Sequence, residues 1–302
     1  MRLATTTGDF SAYTASQSEA IRCIRKAGFR YADYNFNMDF AAQMGVALPD
    51  WKKQIESVRR TAEEIGITFV QSHAPMGKPT VKDESYPRFM EVNRRCIEAC
   101  AMLGIPCIVV HSGYAPHLSV EETFARNKAF YAELLPVAER FGVEILTENF
   151  NRMYKPDVYW VDCARDLRAL IDWIDHPLLH ACWDAGHANL QDDMPQEEEL
   201  RLLGSHVHAL HVQDNWGDQD THMAPFFGTL NLDALMHGLA EIGYRGYFTF
   251  EATNMLLPAK LRRPFSKEQL LLRAPIQLRA KAEALLYEIG RTVLEAYDCL
   301  EE

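Results

Sequence analysis

Short apolar runs alternate with longer stretches of helical period from one end of the chain to the other. Six of the short runs are TFVQSH (68–73), CIVVHS (107–112), EILTEN (144–149), HACWDAGH (180–187), VHALHV (207–212) and YFTFEA (247–252). They are brief, and rich in β-branched and aromatic residues, as buried parallel strands are. RLATTT (2–7) and RYADYNF (30–36) precede them and bring the predicted strands to eight.

The intervening stretches read as helices. Ser16 with Glu19, and Ser119 with Glu122, have the spacing of capping boxes. The first opens the helix after strand one. The second opens one that runs to Gly142. WKKQIESVRRTAEEIG (51–66) stops at Gly66, a helix-ending residue. Further helices are expected at 84–103, 163–174, from about Pro195, at 231–242 and at 277–298.

Eight strand–helix repeats predict an α/β fold, a parallel (β/α)8 barrel formed by residues 1–302 as a single domain. No G-x-G-x-x-G follows the first strand, which argues against an open dinucleotide-binding sheet. The long loops, 74–83, 150–162, 214–230 and 253–276, all follow strands, on the face where barrels build active sites. The basic and apolar segment 256–275 reads as a lid or surface arm; the sharper alternative is a contact in a homo-oligomer.

Composition narrows the class. Hydrophobic residues make up 48% and charged ones 24%, as in an ordinary globular protein. The net charge of −11 gives no general attraction for nucleic acid. No apolar run is long enough to span a membrane, and MRLATTTGDF lacks the pattern of a signal peptide. The seven cysteines contain no C-x-x-C, and Cys96 and Cys100 fit packed thiols on one helix. A reduced, cytoplasmic protein is expected.

The chemistry lies at the strand ends. Glu148, Asp184, His211 and Glu251 close strands five to eight. In a closed barrel those ends converge, so the four can surround one ion. Three carboxylates and an imidazole suit Mn²⁺ or Mg²⁺, and tolerate Co²⁺ or Zn²⁺. His187, three residues after Asp184, is aimed into the same mouth by the turn. Asp220 and His222 flank one residue in the next loop, and can share an ion or bond within the loop. His73 and His111 end strands three and four, as rim residues able to meet substrate hydroxyls or a second metal. Trp216 reads equally as a platform for a sugar ring and as a loop anchor. His208 alternates to the face opposite His211 and reads as a core or helix-packing residue. Lys78, Lys82, Arg152 and Lys155 lie near the mouth and are read as solvated rather than phosphate-binding, so an unphosphorylated substrate is favoured.

On these residues the chain resembles the xylose-isomerase-like TIM-barrel superfamily, from its opening strand to FEA at 250–252. That group includes sugar isomerases and epimerases, inosose dehydratases and the endonuclease IV group. Likeness to the ketose 3-epimerase branch implies one divalent ion on Glu148, Asp184, His211 and Glu251. It further implies proton exchange by the two glutamates and substrate contact by His187. The endonuclease IV branch holds three zinc ions. Its ligand types are matched by His73, His111, Glu148, Asp184, His187, His211, Asp220, His222 and Glu251. TTGDFSAY (6–13) with EAIRCIRKAGFRYADYNF (19–36) looks like the sugar-isomerase group instead. The expectation is a metal-dependent isomerase or epimerase of a sugar or polyol, acting by proton transfer beside a metal-bound carbonyl. A trinuclear-zinc phosphodiesterase on damaged DNA and an inosose dehydratase-like lyase are the alternatives. A non-catalytic barrel is disfavoured by the intact ligand set.

Overall fold

The computed structural model describes residues 1–41, 43–151, 161–191, 194–256 and 274–301. Its strands are β1 (Arg2–Thr6), β2 (Tyr31–Asn35), β3 (Thr68–His73), β4 (Cys107–Val109), β5 (Glu144–Glu148), β6 (Leu179–Asp184), β7 (Val207–His211) and β8 (Tyr247–Phe250). All the ladders are parallel, in the order β7-β6-β5-β4-β3-β2-β1-β8. The ring closes just past the ends of β7 and β8. There the Val212 N–H donates to the Thr249 carbonyl (2.8 Å) and the Glu251 N–H to the Val212 carbonyl (3.0 Å). The fold is a single-domain TIM barrel.

The helices are α1 (Gln17–Ala27), α2 (Phe36–Ala41), α3 (Trp51–Ile65), α4 (Tyr86–Leu103), α5 (Val120–Tyr131), α6 (Leu135–Phe141), α7 (Ala164–Ile174), α8 (Ala185–Asn189), α9 (Gln196–Leu203), α10 (Leu232–Glu241) and α11 (Ile276–Ala296). Ser16 and Ser119 cap α1 and α5 through the N–H groups of Glu19 and Glu122. Gly66 ends α3 at φ 71°, a left-handed turn that costs glycine little. The single helix expected between Ser119 and Gly142 is two. Pro136 stands in the first turn of α6, where its missing N–H costs nothing, and the preceding helix cannot continue through it. Two short helices were not signalled by periodicity, α2 and α8, each directly after a strand.

Strand alternation sorts the side chains into two cores. Ile145, Trp183 and Leu210 face the helices within the large outer core. Cys107, Val109, Leu146, Cys182 and Ala209 fill the barrel itself as a separate buried cluster. The inward column of β5 therefore reads Glu144, Leu146, Glu148, with an apolar plug between two acids. The ladder between β6 and β7 is irregular. Ala181 pairs with Val207 while Cys182 pairs with Ala209, so β7 carries an extra residue, His208. Most of segment 256–275, the expected lid or subunit contact, lies outside the described residues, as do Arg152 and Lys155.

Candidate active site

At the C-terminal ends of β5 to β8, the structure brings Glu148, Asp184, His211 and Glu251 together. One ligand atom from each lies within 4.8 Å of those of the other three. His211 Nδ1 is 3.0 Å from Glu148 Oε1 and 3.7 Å from Glu251 Oε2. Asp184 is fixed from behind. Its Oδ1 accepts the His187 N–H (2.6 Å) as the cap of α8, and its main chain exchanges bonds of 2.7 and 2.9 Å with the Asn149 side chain. Glu148 Oε2 and Asp184 Oδ2 are left buried without a hydrogen-bond partner. A buried carboxylate oxygen left bare is costly unless a cation meets it, so these donors fit a divalent ion.

Two further groups flank this one. His73, His111 and Glu148 share ligand atoms within 4.8 Å, and so do His187, Asp220 and His222. Three of their four histidines are set by one device. His73 donates Nδ1–H to the Ala74 carbonyl (2.8 Å), His187 to that of Asn149 (2.8 Å) and His222 to that of Glu251 (3.0 Å). A carbonyl can only accept, so each ring turns Nε2 inward, as a carbonyl behind a metal-binding histidine does. His187 Nε2 stands 3.3 Å, and His222 Nε2 3.2 Å, from the Asp220 carboxylate.

Burial and charge pull against each other throughout the site. Burial would push Glu148 up, but the charge and hydrogen bond of His211 outweigh it and hold the carboxyl well below the usual range. Burial raises Asp184 to about 6, offset in part by His187. Burial opposes charge on His187, yet Asp184 and Asp220 lift it to about 10. His111, dominated by burial, falls to about 3 and is neutral.

A cavity of about 660 Å³ opens onto these groups. Glu148, Glu251, His187, His73, His111, Asp220 and His222 all line it, whereas Asp184 and His211 sit behind the wall. The lining also has an apolar part, with Pro75, Met76, Val110 and Phe150.

Residues 21–274 match the profile of the family described as the xylose isomerase-like TIM barrel. The chain belongs to this family. Among its relatives, an uncharacterized protein of Methanocaldococcus jannaschii is 31% identical over 61% of this chain and 64% of its own length. The chain thus spans somewhat under two thirds of that relative. Fructoselysine 3-epimerase of Shigella flexneri is 29% identical over 69% of this chain and 77% of its own. Among solved structures of the same barrel, a D-tagatose 3-epimerase-like protein superposes with a TM-score of 0.73. It is 22% identical, over 98% of this chain and 100% of that one.

Some expected residues stand elsewhere. Trp216 is 62% exposed and does not line the cavity. Lys78 is at the cavity edge facing Asp83 (3.5 Å), and Lys82 pairs with Glu133 (3.0 Å). His208 is neither core nor packed on a helix. It stands at the N-terminal end of the barrel, where the bulge in β7 turns it inward and its Nδ1 lies 2.7 Å from Glu144 Oε2.

Other residues were missed. Asp33, the middle residue of β2, is 1% exposed and puts Oδ2 3.6 Å from His211 Nε2, the nitrogen turned away from the ligand cluster. Gln213 donates to Asp220 Oδ1 (3.0 Å), and Asn149 anchors Asp184. Asp33 stands in mid-strand, in RYADYNF, and a carboxylate within a run expected to be buried was the available signal.

Proposed function

We propose that this protein is a divalent-metal-dependent epimerase or isomerase of an unphosphorylated sugar or sugar-like polyol. The supporting observation is the division of labour in the four-residue cluster: Glu148 and Glu251 line the cavity while Asp184 and His211 do not. Glu148, Asp184, His211 and Glu251 would hold the ion, Mn²⁺ by the hardness of the three carboxylates. When bound, the ion supplies Lewis-acid polarisation of a substrate carbonyl and the neighbouring hydroxyl.

The chain's own groups do the rest. One of Glu148 and Glu251 removes the proton from the carbon beside the carbonyl, and the other returns a proton to that carbon from its other side. The net change is inversion at one centre with nothing gained or lost. Return to the neighbouring carbon instead gives aldose–ketose exchange, and loss of a β-hydroxyl gives dehydration. His187 Nε2, presented to the cavity by the Asn149 carbonyl, orients a substrate hydroxyl. The relative that acts as a fructoselysine 3-epimerase favours epimerisation of a substituted ketose, which the apolar wall has room to accept.

The flanking histidine groups support a second reading, a trinuclear-zinc phosphodiesterase. Among the described residues, Lys78 is the one lysine or arginine lining the cavity, against a requirement for several to meet a nucleic-acid backbone. The epimerase reading is therefore preferred. The test is incubation with ketoses, fructoselysine and inososes in deuterium oxide, with metal content measured in parallel. Deuterium entering one carbon of a ketose, with about one Mn²⁺ per chain, is expected. Three zinc ions per chain and cleavage of abasic DNA without exchange would replace this reading by the second.

A further inference from the structure

The N-terminal end of the barrel carries a second group of ligand-type side chains, apart from the mouth just described. Glu144 opens β5, His180 is the second residue of β6, and His208 is the bulged residue of β7. One nitrogen or oxygen from each lies within 4.8 Å of the other two. Glu144 and Glu148 are four residues apart on one strand, so the group sits roughly 13 Å below the mouth at the ordinary strand rise. Leu146 and Cys182 fill the barrel between the two levels.

Three observations say more than an ion pair. First, the two imidazoles stack with ring centres 3.7 Å apart and planes within 13°. Two charged rings would not stack so. Second, His180 Nε2 lies 3.1 Å from the Pro177 carbonyl. Nε2 therefore carries the proton and Nδ1 the lone pair. That Nδ1 is buried with no hydrogen-bond partner, so a donor pair stands bare beside Glu144 and His208. Third, strand alternation would point His208 outward, and the extra residue in β7 brings it into the group. Bulges recur where a side chain is re-aimed for a task. The bond between His208 and Glu144 accounts for two of the residues and leaves His180 unexplained.

We propose that Glu144, His180 and His208 form a binding site for a borderline divalent transition-metal ion, of the zinc class, at the N-terminal rim. Two imidazoles and one carboxylate are a zinc donor set, and the half-exposed rim leaves a coordination position to water. The carbonyl of Pro177 is the outer partner that fixes the ligand tautomer. The ion would tie the starts of three neighbouring strands together and would not touch the substrate.

The test uses the full chain, stripped with chelator and titrated with Zn²⁺ by calorimetry. Wild type is expected to bind one more equivalent than a His180→Ala/His208→Ala variant. A Glu251→Gln/Asp184→Asn variant should keep that extra equivalent. Equal stoichiometry in wild type and the His180→Ala/His208→Ala variant would overturn the proposal. Should that variant not fold, diethylpyrocarbonate labelling of wild type, read peptide by peptide, decides. Zn²⁺ is expected to protect both His180 and His208, and undiminished labelling of the two at saturating Zn²⁺ counts against the site.

Discussion

At its C-terminal end β5 presents Glu148, 1% exposed, with His211 Nδ1 3.0 Å away. At its N-terminal end the same strand presents Glu144, 33% exposed, with His208 Nδ1 at only 2.7 Å. The shorter contact has the smaller effect. Hydrogen bonding to His208 lowers Glu144 against its partial burial, whereas Glu148 is held well below the carboxylate range against full burial. Distance does not decide between them. Water screens the lower pair, and protein surrounds the upper one, where each charge acts on several neighbours at low dielectric. Chemistry that needs shifted protons and a tightly held ion belongs at the upper rim.

Glu251→Gln tests that contrast most severely. The amide keeps the shape of the side chain and cannot take a proton. Turnover should fall by about 10²–10⁴-fold, the usual contribution of a positioned acid or base. Circular dichroism should be unchanged. Glu144→Gln at the other rim should leave turnover at wild-type level. Equal losses in the two variants would erase the distinction between the rims.

Asp39, in α2, supplies a buried acid away from both ligand clusters. Among the described residues, hydrogen bonds from Gln17 Nε2 and Tyr34 Oη, each 3.0 Å, support it. Burial raises it to about 6. The folded state thus holds its proton more tightly than the unfolded chain, and the sign follows. Stability from this group is full below about pH 4, declines as the pH rises towards 6, and stays low above that. Asp39→Asn should remove the dependence. It should stabilise the protein at pH 7 by up to about 3 kcal/mol, two pH units of differential protonation. Urea unfolding at pH 4 and pH 7 measures this. A variant that loses stability at both values would show that the Tyr34 bond outweighs the buried charge.

The sequence made the barrel readable because each strand is an apolar run and each long helix carries its own punctuation, such as Gly66 and the Ser119–Glu122 pair. It made the mouth readable because Glu148, Asp184, His211 and Glu251 stand at equivalent points of the repeat. The supports were harder to see. Asn149 and Gln213 are neutral amides beside stronger ligands, and nothing in their spacing shows which carboxylate they hold. His208 was placed wrongly for a definite reason. Period-two alternation assumes an unbroken ladder, and one inserted residue reverses every inference made across it.

Asp33 tests how far the upper rim depends on residues behind its ligands. Its Oδ2 faces His211 Nε2 at 3.6 Å, while Oδ1 is held by the Thr6 hydroxyl at 3.3 Å. Asp33→Asn should weaken binding of Mn²⁺ by about 10–100-fold, the usual loss for an outer carboxylate partner. At saturating Mn²⁺ most of the turnover should return. A loss of turnover that added metal cannot repair would make Asp33 more than a positioning residue.

The smallest effect belongs to the lower pair. With metal removed by chelator, His208→Ala breaks a contact about a third exposed on each side. Such pairs are worth about 0–1 kcal/mol, so the apo variant should unfold within that range of wild type. Added Zn²⁺ should then separate the two proteins by raising the melting temperature of wild type more than that of the variant. The comparison is best made in the Glu251→Gln/Asp184→Asn background, where ion binding at the mouth no longer contributes. A large difference in the apo proteins would mean that the lower rim is held by the ion pair itself, and that water screens it less than its exposure implies.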